Sequence, residues 1–353
     1  MVTHGLLAAL SLAAPMFADD QANVAILAET KLMRMAGMPA MPELPAGVNL
    51  PAGVQMPGMA SRNLSVQLWA PVIAPQGAFA YLAPPAGLKL GNKLDLELAR
   101  PTPGKSAYSG LGVPGSENPD FTIKIYWGSS EKVQEGQPKI IRYGALTPEQ
   151  KAQMRRFAQN MASADAANWT TGTWPTAKQN GTIKGDASLA GSYALTTSFT
   201  GNVTLDVPTG IDFLAPIQMS APNLAEHPNL AEAIQFKWAA LPTALGQFAS
   251  AFGMEGQKTM IVWVSSKSLK EGLTSDPGFL EMAKVRELVQ EGAFMAPDQT
   301  TVTMPAGIFK NADMAMLNMA AWGPGVALAK GQPLPRLQTK STLNIMLGGK
   351  NMD

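Results

Sequence analysis

Ile125-Tyr-Trp127-Gly-Ser129-Ser130-Glu-Lys-Val133-Gln-Glu135-Gly136 is echoed by Ile261-Val-Trp263-Val-Ser265-Ser266-Lys-Ser-Leu269-Lys-Glu271-Gly272. The Ile, the Trp, both Ser, the Glu and the Gly recur in the same places. In each copy a run of β-formers ends at a Trp, turns through two serines and leads toward a helix. Phe121, Ile123, Ile125 and Trp127 alternate with Thr122, Lys124 and Tyr126, the period of a strand with one apolar face. Met260 to Val264 is continuously apolar, as in a strand covered on both faces.

Two further echoes keep the same order. Trp69-Ala70 with Gly77-Ala-Phe79-Ala80 matches Trp238-Ala239 with Gly246-Gln-Phe248-Ala249, and Val203-Thr204 before Pro208-Thr-Gly210-Ile211 matches Val302-Thr303 before Pro305-Ala-Gly307-Ile308. Alternation marks further strands at Leu94–Leu98, 182–207, Ile234–Trp238, 300–304, 314–322 and 337–347. Each copy also carries one helix. Thr147-Pro148-Glu149-Gln150 has the form of a capping box ahead of Met154, Phe157, Ala158 and Met161 on one helical side. Ser275-Asp-Pro277 opens the other, with Met282, Val285, Leu288 and Val289 on one face and Gly292 as its stop. The order predicts a mainly β protein of two related β-sandwich-like domains, each with one inserted helix, over residues 63–212 and 213–353. It places Trp127 and Trp263 at equivalent buried positions.

Ahead of the domains, Gly5 to Phe17 is apolar and ends at the small Ala18. It is too short for a bilayer, which needs about 20 apolar residues. Residues 1–18 read as a signal peptide, the competing reading being a buried hydrophobic helix. Asp19 and Asp20 then suit the N-terminus of a helix reaching about Met35. The Pro/Gly/Met-rich stretch from Met38 to Met59 follows as an extended linker, completing an N-terminal segment of residues 19–62.

Composition excludes several chemistries. The 353 residues carry 15% charged side chains, against about 25% in an average chain, and a net charge of +1. Nothing here attracts nucleic acid or an anionic membrane, and no later stretch has the length of a transmembrane helix. The absence of Cys excludes disulfides, thiol nucleophiles, zinc–thiolate sites, iron–sulfur clusters and a lipobox anchor. An exported chain without Cys suits the bacterial periplasm or the extracellular space.

Motif by motif, catalysis finds little support. Ala99-Arg-Pro-Thr-Pro-Gly104-Lys105-Ser106 loses two phosphate-binding N–H groups to Pro101 and Pro103. Gly110-Leu-Gly112-Val-Pro114-Gly115 lacks a βαβ setting. Ser129-Ser-Glu-Lys132 lacks the companion Lys-Thr-Gly. A serine triad would need His227, the one imidazole besides His4, and no Gly-x-Ser-x-Gly elbow exists. Asp95/Glu97 and Asp206/Asp212 are the carboxylate pairs open to glycan hydrolysis.

Two residue sets suggest binding. Met33, Met35, Met38 and Met41 have the spacing of thioether clusters that hold Cu(I), and Met314, Met316 and Met319 repeat part of it. Trp169 and Trp174 lie in a polar stretch and could stack on sugar rings. No cofactor is called for.

Tyr126-Trp127-Gly128, Gly136-Gln137-Pro138 and Met304-Pro-Ala-Gly307-Ile-Phe309 give the chain a pattern that resembles uncharacterised exported proteins of proteobacteria. The resemblance implies a compartment and no activity. The expected role is a non-catalytic extracytoplasmic structural or assembly protein of the envelope or extracellular matrix, self-associating through residues 19–59. The alternative is a module binding carbohydrate, such as a polysaccharide, or another ligand. A glycan hydrolase or a copper-binding protein ranks behind both.

Overall fold

The described chain is mainly β: eighteen strands and one α-helix, in three sheets. The computed structural model describes residues 23–38, 57–100, 120–149, 169–270, 272–327 and 337–349. Its 11-stranded main sheet runs in the order β5 (Glu97–Ala99), β8 (Thr170–Trp174), β2 (Ala60–Ala70), β1 (Asn23–Met35), β18 (Leu337–Gly348), β17 (Met314–Val326), β14 (Gly246–Glu255), β15 (Thr259–Val264), β6 (Thr122–Trp127) and β7 (Lys139–Arg142). The short β9 (Thr182–Ile183) also pairs with β2. A second sheet has the order β11 (Val203–Val207), β10 (Gly191–Thr197), β3 (Ala80–Ala83), β4 (Leu94–Asp95). The third has β12 (Met219–Ala221), β13 (Ile234–Trp238) and β16 (Thr301–Met304).

The two small sheets lie on one face of the large one. Even positions of β1 show this: Val24, Ile26 and Ala28 pack with Leu82, Tyr193 and Leu195 of the second sheet, while Leu32 packs with Phe236 and Trp238 of the third. Between the two cores, Thr30 donates its hydroxyl to the Leu214 carbonyl at 2.6 Å. The opposite face is covered over part of its area by α1 (Met282–Gln290), whose Val285 and Leu288 pack on Phe248, Val262, Ala320 and Trp322. This helix starts later than Ser275 because Asp276 caps a turn, accepting from the Gly278 N–H at 2.8 Å, where Gly278 has φ +75°. Gly292, at φ +69°, follows its end as the sequence indicates.

Three expectations change. The helix expected up to Met35 is β1, a strand inside the large sheet. It pairs antiparallel with β2 from Asn23↔Trp69 to Leu32↔Ala60, and parallel with β18 from Ile26↔Leu337 to Met35↔Met346. Ala, Leu, Glu, Lys and Met favour a helix only by tenths of a kcal/mol each. Two continuous ladders and burial of both faces near Val24 to Ile26 outweigh that. Residues 23–35 are therefore built into the fold and are not a free arm for linking copies.

The chain also does not separate at residue 213 into two sheets of its own. The large sheet takes β1, β2, β5 to β9 from one side of that point and β14, β15, β17, β18 from the other. Nor do the echoed strands hold matching places. Trp69 is in the large sheet and Trp238 in the third; Val203 is in the second and Val302 in the third. The Trp-Ser-Ser strands are parallel neighbours, β6 beside β15, with Trp263 opposite Tyr126, one residue off the sequence match. Trp263 thus enters the core under the third sheet, fully buried, whereas Trp127 lies half-buried on the helix side. The stretch expected to be a signal peptide, Met41 with most of the Pro/Met/Gly segment, residues 101–119 and the expected first helix beyond Glu149 lie outside the described residues.

Ile26 is 1% exposed and sits where β1 meets both neighbours. Ile26→Ala is expected to cost about 2–5 kcal/mol in urea unfolding. A chain starting at Arg62 should show no cooperative thermal transition, whereas one starting at Asp19 should.

Candidate functional site

The serine turns hold backbone. Ser129 Oγ accepts from the Thr303 N–H at 2.9 Å, and the Ser130 N–H donates to Thr303 O at 3.2 Å. The Ala306 N–H donates to Glu131 O at 2.9 Å, so this turn continues the edge of β16. In the second copy Ser265 Oγ accepts from the Ala249 N–H at 3.0 Å, and Ser266 donates to Ala293 O at 2.7 Å. Trp263 Nε1 donates to Gly128 O at 2.9 Å and ties the two turns together. The side chains of Ser129, Ser265 and Ser266 each bond to main chain, so these serines hold backbone at the two turns.

Other polar groups point the same way. Lys340, 3% exposed at its side chain, places Nζ 2.6 Å from both Asp276 oxygens and 5.1 Å from the Trp322 ring centre. The buried Lys340 ammonium is thus paired with a part-buried carboxylate. Burial holds the Tyr193 phenol well above its usual range, with Asp212 adding to the shift, and its hydroxyl donates to Leu189 O at 2.9 Å. Asp95, Glu97 and Asp206 are exposed on strands, and the exposed Asp212 beyond β11 accepts from the Leu189 and Phe213 N–H groups. No group of three or more His, Cys, Asp or Glu converges among the described residues.

Trp169 and Trp174 do not form a stacking pair. β8 buries Thr170, Gly172 and Trp174 toward the second sheet, leaving Trp174 2% exposed with Nε1 donating to Gln179 Oε1 at 3.1 Å. Trp169, half-buried, precedes the strand by one residue; an odd separation sends two extended residues to opposite faces. Beside them, a cleft of about 330 Å³ is lined by Glu29, Lys31, Asn63, Ser65, Thr176 and Asn180, among others.

The distinctive surface is the part of the large sheet's helix-side face that α1 does not cover. Register lines up Met35, Met346, Met316 and Phe252 across β1, β18, β17 and β14. The next row holds Met314, Met254 and Met260. These side chains are half-buried, except Phe252 at 41% exposure. Of the methionines expected to act together, Met33 (44% exposed) and Met35 share this face, and Met38 (42% exposed) follows in the turn after β1. Met314 and Met316 join them, but Met319 faces the opposite core. Met254, Met260, Met346 and Phe252 were not among the binding residues read from the sequence. Their signal was the i, i+2 spacing of Met314-x-Met316 and Phe252-x-Met254 within strands, since only strand pairing brings such rows together.

His227 is exposed and lies over the turn after β1 and the end of β18. No helix among the described residues is long and apolar enough to cross a membrane. Compared with known proteins, the chain matches no family model and no curated protein.

Ser266 is 1% exposed, so its loss leaves the Ala293 carbonyl without its donor in a dry site. Ser266→Ala is expected to cost about 1–3 kcal/mol in chemical denaturation, as for any orphaned buried acceptor.

Proposed function

We propose that this chain is a non-catalytic extracytoplasmic scaffold, a structural or assembly component of the cell envelope or extracellular matrix. It self-associates through the apolar rows of its large sheet. The observation that carries this reading is the Met316–Phe252 row with Met314 and Met254 beside it, left half-exposed where α1 stops. Contiguous apolar area of this kind on a chain of low charge marks an interaction surface. Methionine suits it, because its flexible thioether adapts to a partner's shape. The ends of the sheet are poorer candidates: β5 has three residues, and β7 carries Lys139 and Arg142, which oppose edge pairing. Contact through the face replaces the N-terminal arm as the basis of assembly.

A second reading rests on the cleft beside β1 and β2, whose lining mixes apolar and polar side chains. Its volume reaches the lower range of small-molecule sites, and its amide, hydroxyl, carboxylate and ammonium groups suit a neutral polyol such as a glycan.

The mature chain from Asp19 should scatter light above monomer mass at tens of micromolar, in the range of ordinary weak association. Phe252→Glu should return it to monomer with an unchanged circular dichroism spectrum. A wild-type chain that stays monomeric at several hundred micromolar would overturn the assembly reading. For the cleft, Asn63→Ala should abolish any glycan binding detected by calorimetry; binding that survives it excludes this location.

A further inference from the structure

Met35 of β1 lies opposite Met346 of β18, and two residues further each strand reaches a glycine, Gly37 and Gly348. The His227 imidazole occupies the space over both. A Cβ on Gly37 would run into Nε2, and one on Gly348 would come within 2.9 Å of Nδ1. Both glycines have positive φ, +80° and +115°. A side chain at either position would be strained and would displace the ring. The two strand ends thus form a cradle for one imidazole, the only one among the described residues.

Local bonds hold the cradle in place. The Gly37 N–H donates to Leu224 O at 3.1 Å, pinning the loop that carries His227 three residues later. The Met38 N–H turns back to Met35 O at 3.4 Å, so Met38 follows Gly37 directly in a tight turn. Neither His227 nitrogen has a hydrogen-bond or ion-pair partner among the described residues. Met35 and Met346 stand two residues before the glycines that the ring covers, and Met38 stands one residue after Gly37.

We propose that Met35, Met38, Met346 and His227 form a Cu(I) site. Thioether sulfur is soft and selects Cu(I), and imidazole is a good copper ligand. No carboxylate or thiolate belongs to the set, which disfavours calcium, magnesium and structural zinc. Residues two apart on a strand are separated by about 7 Å, a gap that a methionine side chain and a bound ion together span. Met38 and His227 are exposed, giving the ion a route in. Met35 and Met346 also belong to the row that ends at Phe252, so Phe252→Glu, which leaves all four ligands in place, separates loss of assembly from loss of metal binding.

The test uses the mature chain from Asp19 under anaerobic conditions. Cu(I) is titrated against a chromophoric Cu(I) chelator, with Ag(I) as a redox-inert probe counted by native mass spectrometry. One ion per chain is expected. His227→Ala and the exposed Met38→Leu should each weaken Cu(I) binding at least tenfold, and Met35→Leu with Met346→Leu should do so while preserving apolar volume. Circular dichroism of each variant separates lost ligands from lost fold, and Met38→Leu has little packing to lose. No ion retained at micromolar Cu(I), wild-type affinity in folded His227→Ala, or tighter binding of Zn(II) than of Cu(I) would overturn the proposal.

Discussion

The parallel pairing of β1 with β18 is the constraint on which the rest depends. Within the large sheet, β5, β8, β9 and β2 connect to the six described strands beyond β1 only through β1 and this ladder. The first and last described strands are thus neighbours within the sheet, and its two parts join only where they pair. The energetic balance favours this arrangement over a local helix. Burying a single Ile or Leu is worth about 1.5–3 kcal/mol, and β1 buries Val24, Ile26 and Leu32 on one face. Intrinsic helix preference differs by at most about 0.7 kcal/mol per ordinary residue.

The same strand divides the covered face. Its first half belongs to the core under the second sheet and its second half to the core under the third. Thr30, at the crossing point, spends its hydroxyl on the Leu214 carbonyl, where the chain passes from β11 toward β12. A polar side chain is satisfied in a dry place because the segment that connects the two covers supplies an acceptor. A comparable lock acts at β6 and β15, where Trp263 reaches Gly128 and the Ser129 turn completes the rim of β16. The third sheet is therefore fastened to the large one by hydrogen bonds as well as by packing.

Much of the strand content was legible in the sequence. Period-two runs at β6, β13 and β17, and the continuous apolar run of β15, marked real strands because each depends on burial of its own faces. What was not legible was which strands become neighbours. The two Trp-Ser-Ser stretches look alike because each ends a strand at a turn whose backbone needs hydroxyl partners, and two adjacent parallel strands need such an ending on the same side. Local similarity then reflects a shared local task and not a repeated domain. β1 was misread for a related reason: Glu29, Lys31 and Arg34 between apolar residues fit a helical side as readily as a strand with one partly open face.

The methionine sites show the same limit from the functional side. Spacing along β1 could bring together Met33, Met35 and Met38, but Met346 and His227 lie far away in sequence, and only the strand register and the loop after β12 bring them near. Gly37 and Gly348 carry no comparable signal in the sequence, and the reason for them appears only with the ring above them. A glycine that ends a strand because an imidazole needs its space is a packing constraint of a particular kind. It keeps an imidazole against the ends of the two strands that hold the sheet together. An ion held there would bridge β1, β18 and the His227 loop, so its binding energy would add to the contact on which the sheet depends, since a ligand that binds only the folded chain stabilises it.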